Sequence, residues 1–204
     1  MKLYYSPGAC SLSPHIALLE AGLPYELVKV DLRAKKLDNG DDFLSVNPKG
    51  QVPVLALDSG ELVTEGPVIV QMIADKAAGK GLAPARDSAE RYKLLEWLNF
   101  ITSELHKSFG PMFSPVLADD AKAFFKDRVM GKFKYLDGAL AGHDYLMGKQ
   151  FTVADGYLFT ILTWADRMNF DLSAMPTLLA YKARVAARPM VQEALTKEGL
   201  MKAA

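Results

Sequence analysis

Apolar and polar residues alternate in the first third of the chain and then give way to long helical periodicity. Residues 2–5 read as a strand, and Ser11 to about Ala21 as a helix with Pro14 in its first turn and Gly22 closing it. Tyr25 to Val30 alternates as a second strand, and the polar stretch Ala34 to Asp42 is expected to carry a short helix towards Val46. Asn47-Pro48-Lys49-Gly50 is a loop before an apolar strand from Val52 to Leu57, which the turn Asp58-Ser59-Gly60 joins to Glu61–Thr64. Glu65-Gly66-Pro67 then opens a helix with proline early in it. The order is βαβ, helix, ββα. Beyond the connector Gly79 to Pro84 the pattern is helical throughout: Glu90 to about Phe109, Asp119 to Leu140, Val153 to Met168, and two shorter segments. The expected fold is α/β followed by all-α, with domains at 1–78 and 88–204 and a linker at 79–87.

Charge and composition narrow the function. The 24 basic residues balance the 24 acidic ones, so no polyanionic partner is implied and nucleic acid is not expected. No apolar run approaches the roughly 18 residues that span a bilayer, and no basic-then-apolar leader opens the chain, so no membrane is expected and a cytoplasmic location is. Repeats, a dinucleotide-binding glycine fingerprint, a phosphate loop and a zinc-type cysteine and histidine cluster are all missing from the sequence, and no metal is expected.

The single cysteine, Cys10, lies between the first strand and the first helix. A thiol there sees unpaired N–H groups and the positive end of a helix dipole, which favour thiolate; the plain alternative is a small buried core residue. Ser13 stands where a dithiol motif has its second cysteine, so Cys10 could form a mixed disulfide but needs an external thiol for release. The Val52-Pro53 bond is a candidate cis peptide whose Val52 backbone would pair with an extended peptide-like ligand; an ordinary trans proline at a strand start is the alternative. At Glu65-Gly66, helix N–H groups can hold a carboxylate while Glu65 accepts from an ammonium, or Glu65 only complements the dipole. Asn99, Ser103, His106 and Lys107 fall at i, i+4, i+7 and i+8 and make one polar helix face, with His106 suited to proton transfer near neutrality. His15 and His143 have no comparable setting. Thr152 and Asp155 form a capping box ahead of the apolar segment Tyr157 to Trp164.

In this order and spacing, Cys10, Gln51-Val52-Pro53, Glu65-Gly66 and a helical second half with a capping box resemble the cytosolic glutathione transferases. Cys10 with His106, and the opening from Met1 to Ser11, resemble the bacterial beta class over the whole chain. The resemblance implies a thioredoxin-like domain holding glutathione as co-substrate, a helical domain forming much of a hydrophobic electrophile pocket, a homodimer, and a role in detoxification. It assigns catalysis to Cys10 and His106 and glutathione binding to Lys35, Gln51, Val52, Glu65, Gly66, Asn99, Ser103 and Lys107. Phe109, Phe113, Trp164 and Met168 are pocket candidates by position, with core packing as the plain alternative for aromatic residues at helical spacing. Tyr5 is placed with them and, like Ser11, is also a rival for sulfur activation, since other classes use an N-terminal tyrosine or serine. Gly66 departs from the family pattern, in which serine often follows the glutamate, and Pro67 removes one N–H. The expected activity is conjugation of glutathione to electrophiles, with thiol exchange through Cys10. Reductive dehalogenation or isomerisation, and a non-catalytic binding module, are the alternatives.

Overall fold

The computed structural model describes residues 1–201, which form two compact units: residues 1–83 with residues 188–201, and Pro84–Ala187. The first unit is built on a sheet ordered β3-β2-β1-β4-β5 among the described residues. β1 (Lys2–Tyr5) runs parallel to β2 (Glu26–Asp31), with α1 (Leu12–Ala21) crossing between them, and antiparallel to β4 (Val54–Ala56), which pairs antiparallel with β5 (Leu62–Thr64). Leu3, wholly buried, lies between Leu27 and Leu55 in this register. One apolar cluster gathers Val30, Phe43, Val52 and Val54 with Tyr4 and Ala9 around them. α1 and α3 (Gly66–Lys76) bury Leu12, Ile16, Ile69 and Ile73, so the period-two strands and the helical stripes meet in one core.

The polar stretch after β2 differs from expectation. It holds no helix; Lys36–Leu37 forms a two-residue edge strand, β3, antiparallel to β2, and the helix α2 is confined to Phe43–Val46. Asp42 caps it by accepting the Leu44 N–H at 3.2 Å. A two-residue strand carries no readable alternation, which is why polarity alone suggested something else.

The second unit contains α4 (Ala89–Phe100), α6 (Asp119–Ala139), α7 (Val153–Arg167) and α8 (Pro176–Ala186). α7 is buried along nearly its whole length, and its start is held by Asp155, which accepts from the backbone N–H groups of Thr152 and Leu146 at 2.8 Å each and from the Tyr181 hydroxyl at 2.9 Å. Burial of this carboxyl outweighs those bonds and raises its pKa to about 6. The helix expected over Glu90–Phe109 is present as one uninterrupted run that changes type along its length: after α4 come a π-helical segment, Ile101–His106, the short α5 (Lys107–Phe109) and a 3₁₀ turn, Gly110–Phe113. The Lys107 N–H reaches the Thr102 carbonyl five residues back. Three hydroxyls in this stretch bond back to carbonyls that an α-helix would keep for its own ladder: Thr102 to Leu98 at 2.7 Å, Ser103 to Asn99 at 3.0 Å and Ser108 to Glu104 at 2.8 Å.

Compactness also groups the end of the chain differently from an 88–204 helical domain. α9 (Pro189–Lys197) packs along α1 in the first unit. Arg188 makes a two-pronged ion pair with Glu20 at 2.6 and 2.8 Å, a contact between residues 168 apart in sequence.

Candidate active site

In the first unit, the loop between β1 and α1 fixes Cys10. The Ser11 hydroxyl accepts the Ser6 N–H at 3.1 Å and lies 3.3 Å from the Ser6 carbonyl, and Gly8 takes a left-handed φ of 66° that a side chain would strain. Ser11, wholly buried, is thus committed to the loop. The Cys10 thiol donates to the Val52 carbonyl at 3.2 Å. Only a protonated sulfur can do so; a thiolate would have to leave this carbonyl for a donor. Ser13, at the position of a resolving thiol, is buried with no hydrogen-bond partner for its Oγ among the described residues. Tyr5 is buried in β1, and its pKa is raised by burial first and then by the charges of Glu198 and Asp38, away from the phenolate.

The Val52–Pro53 peptide is cis. The loop before it is tied down from several sides. Lys35 donates to the Gly50 carbonyl at 2.8 Å, and the buried Asn47 amide donates to the Gln51 carbonyl at 2.7 Å. Lys49 pairs with the Glu65 carboxylate at 2.7 Å and with the Thr64 hydroxyl at 3.0 Å. Glu65 has a φ of 68°, a conformation costly for a non-glycine residue, at the point where the chain turns from β5 into α3. A Cβ added at Gly66 would have as its nearest neighbour the Pro53 Cγ at 3.9 Å, so a small side chain fits there. Hydrogen bonds and chain adjacency thus join Cys10, Lys35, Gln51, Val52, Glu65 and Gly66 into one neighbourhood. Asn47 and Lys49 belong to it as well, although nothing in their own spacing singled them out.

In the second unit, Asn99, Ser103 and Lys107 are exposed, whereas His106 is half-buried. His106 turns to α7, with Nδ1 2.6 Å from the Tyr157 hydroxyl and its ring edge-on to Trp164 at 5.0 Å. Trp164, almost wholly buried, also meets Phe113 at 5.3 Å and Phe109 at 5.8 Å between ring centres. Phe109 is completely enclosed, with Phe133 and Phe170 behind it, while Phe113 exposes half of its surface.

His15, which the pattern left without a role, is fully buried in the first unit. Its Nδ1 is 2.8 Å from Glu198 Oε1 and its Nε2 is 2.9 Å from the Tyr25 hydroxyl. The other Glu198 oxygen accepts the Gly8 N–H at 2.8 Å, so a carboxylate near the chain's end braces the loop that carries Cys10. A pairing across 183 residues leaves no local signal. Among the described residues no three His, Cys, Asp or Glu side chains converge as metal ligands, and no helix is long and apolar enough to cross a membrane.

These features agree with comparisons to known proteins. The family profile described as "Glutathione S-transferase, N-terminal domain" matches residues 8–76, and "Glutathione S-transferase, C-terminal domain" matches residues 100–189. Glutathione S-transferase GstA of Escherichia coli O157:H7 is 47% identical over 200 residues, covering 98% of this chain and 100% of that one. A sphingomonad glutathione S-transferase solved in complex with glutathione is 51% identical, with a TM-score of 0.95 over 98% of this chain and 100% of that one. The bacterial beta-class glutathione S-transferase of Sphingomonas chungbukensis is 49% identical, with a TM-score of 0.96 and the same coverage.

Proposed function

This chain belongs to the glutathione S-transferase family, with its likeness among the bacterial beta-class members, and we propose how its residues serve that activity. It is a glutathione transferase, with glutathione as co-substrate. The observation that carries the reading is the neighbourhood around Cys10, whose donors and acceptors match the middle and the γ-glutamyl end of the tripeptide. The Val52 N–H, without a partner among the described residues, and the Val52 carbonyl can pair with its middle, as a strand edge would. Glu65 takes the γ-glutamyl ammonium; its link to Lys49 is solvent-exposed on both sides and so is displaced at small cost. The Gly66 N–H at the start of α3 faces the carboxylate's charge with the helix dipole behind it. Lys35, Gln51 and Lys107 supply further polar contacts, with Asn99 and Ser103 completing the set, and His106 acts on the sulfur. Phe113 and Trp164 line the pocket for a hydrophobic electrophile, with Phe109 as the packing behind them.

Two chemistries share this site. In conjugation, the site favours the glutathione thiolate, which attacks an electrophile. In exchange, the Cys10 thiolate attacks the glutathionyl sulfur of a mixed disulfide, the S–S bond breaks and the other thiolate leaves. A glutathione thiolate then attacks glutathionylated Cys10, releasing oxidised glutathione and restoring the Cys10 thiolate. The exposed Val68, Tyr92, Leu95 and Tyr135 support a homodimer, and the reading places the protein in the cytoplasm. The test compares wild type with Cys10→Ala in both assays. Exchange is expected to vanish while conjugation to a chlorodinitrobenzene survives at least in part. Loss of both with glutathione binding retained would assign Cys10 the activating role, and undetectable binding at millimolar glutathione would overturn the reading.

A further inference from the structure

The role of His106 in the reading above leaves open whether its imidazole gives a hydrogen bond to the glutathione sulfur or takes a proton from it. Tyr157 bears on that choice. Its hydroxyl is 2.6 Å from His106 Nδ1, and its ring stands at 84° to the imidazole, 5.9 Å between centres. Any proton His106 exchanges with a ligand therefore passes through Nε2. Tyr157 is itself held rigidly: it is 2% exposed and sits in the first turns of α7, the helix anchored by Asp155. The Thr102 hydroxyl also approaches, at 3.5 Å, but its one proton is directed to the Leu98 carbonyl at 2.7 Å, so it does not also donate to Tyr157. Between a phenol and a neutral imidazole, the phenol is the better donor and the ring nitrogen the better acceptor. The short contact accordingly runs from the tyrosine O–H to Nδ1.

We infer that Tyr157 is a positioning residue for His106: its hydroxyl donates to Nδ1, fixes the neutral imidazole with its proton on Nε2, and so presents His106 to the glutathione sulfur as a hydrogen-bond donor. His106 faces α7 beside Thr102, while Asn99, Ser103 and Lys107 on the same helical run stay exposed. A donor at this place stabilises a sulfur anion as it forms or waits, which is electrostatic assistance rather than general-base catalysis. Nothing in the sequence pattern marks Tyr157, which reads there as one more aromatic in an apolar helix.

The test is the tautomer itself, read by long-range proton–nitrogen correlation on uniformly ¹⁵N-labelled wild-type protein. With three histidines in the chain, His106→Gln assigns the signals by subtraction. Wild-type His106 is expected in the Nε2–H form. In Tyr157→Phe, which keeps the ring and its packing, the two tautomers should mix and kcat for conjugation should fall about tenfold with KM for glutathione nearly unchanged. The double variant with His106→Gln should be no slower than His106→Gln alone. An Nδ1–H form in wild type, or a tautomer indifferent to Tyr157→Phe, would overturn the inference. If the tautomer shifts but His106→Gln leaves kcat intact, the pairing stands and the role given to His106 in the proposed function fails.

Discussion

The two units hold their candidate residues by different means. In the first, the groups sit on loops that hydrogen-bond to one another: Cys10 to Val52 across 42 residues, Lys35 to Gly50 across 15 and Lys49 to Glu65 across 16. In the second, His106 is held by the Tyr157 hydroxyl and the Trp164 ring of α7, 51 and 58 positions further along the chain. Hydrogen bonds between loops set the one and a hydroxyl and rings from a neighbouring helix set the other, so substitutions should affect them differently.

The largest effect should come from the buried carboxylates that brace each unit. Glu198→Ala strips a fully buried imidazole and the Gly8 N–H of their partner, and should cost about 3–5 kcal/mol of stability in urea unfolding, together with looser control of Cys10. A cost below about 1 kcal/mol would show that the loop holds itself. Asp155 is held by N–H and O–H donors, and its raised pKa makes a signed prediction. Because the folded state holds this proton up to about pH 6 whereas an ordinary aspartate loses it near 3.8, the group favours the fold at low pH. That contribution is lost as pH rises through about 6 and is constant above it. Relative to Asp155→Asn, wild type should lose at most about 3 kcal/mol between pH 4 and 7; parallel stability curves for the two proteins would contradict this.

Glu65→Ala should be next, raising KM for glutathione about tenfold or more with little change in melting temperature, since the side chain is exposed and its value lies in a charge-assisted bond to the ligand. An equal loss in kcat and none in KM would move Glu65 from binding to the chemical step. The smallest effect, and the only gain, is expected from Gly66→Ser. The space is there, with Pro53 Cγ 3.9 Å from the new Cβ, and the added hydroxyl should tighten glutathione binding about fivefold, as read by calorimetry. Weaker binding would mean that the carboxylate lies elsewhere.

The same contrast explains what could be read from the sequence. Apart from the edge strand β3, the strand and helix order of the first 78 residues, the cis candidate at Pro53, the turn into α3 at Glu65 and the Thr152–Asp155 box all rest on short-range chemistry and reappear in the structure. The π segment did not, because Asn99, Ser103, His106 and Lys107 suit an α-helical face equally well on paper; the back-bonding hydroxyls of Thr102, Ser103 and Ser108 were the available hint. Tyr157, His15 and Glu198 were illegible for a plainer reason: Tyr157 meets His106 across 51 residues, and Glu198 meets His15 and Gly8 across 183 and 190. Lys49 is an intermediate case, adjacent to a motif that was read and silent within it.

The most direct test follows the intact mass of native protein during reaction with oxidised glutathione, against unfolded protein in which Cys10 is an ordinary thiol. Addition of one glutathionyl group, much faster in the native state and reversed by reduced glutathione, is the predicted result and places an activated Cys10 beside a glutathione site. Native addition no faster than in the unfolded chain would contradict it, leaving Cys10 a bystander held on the Val52 carbonyl.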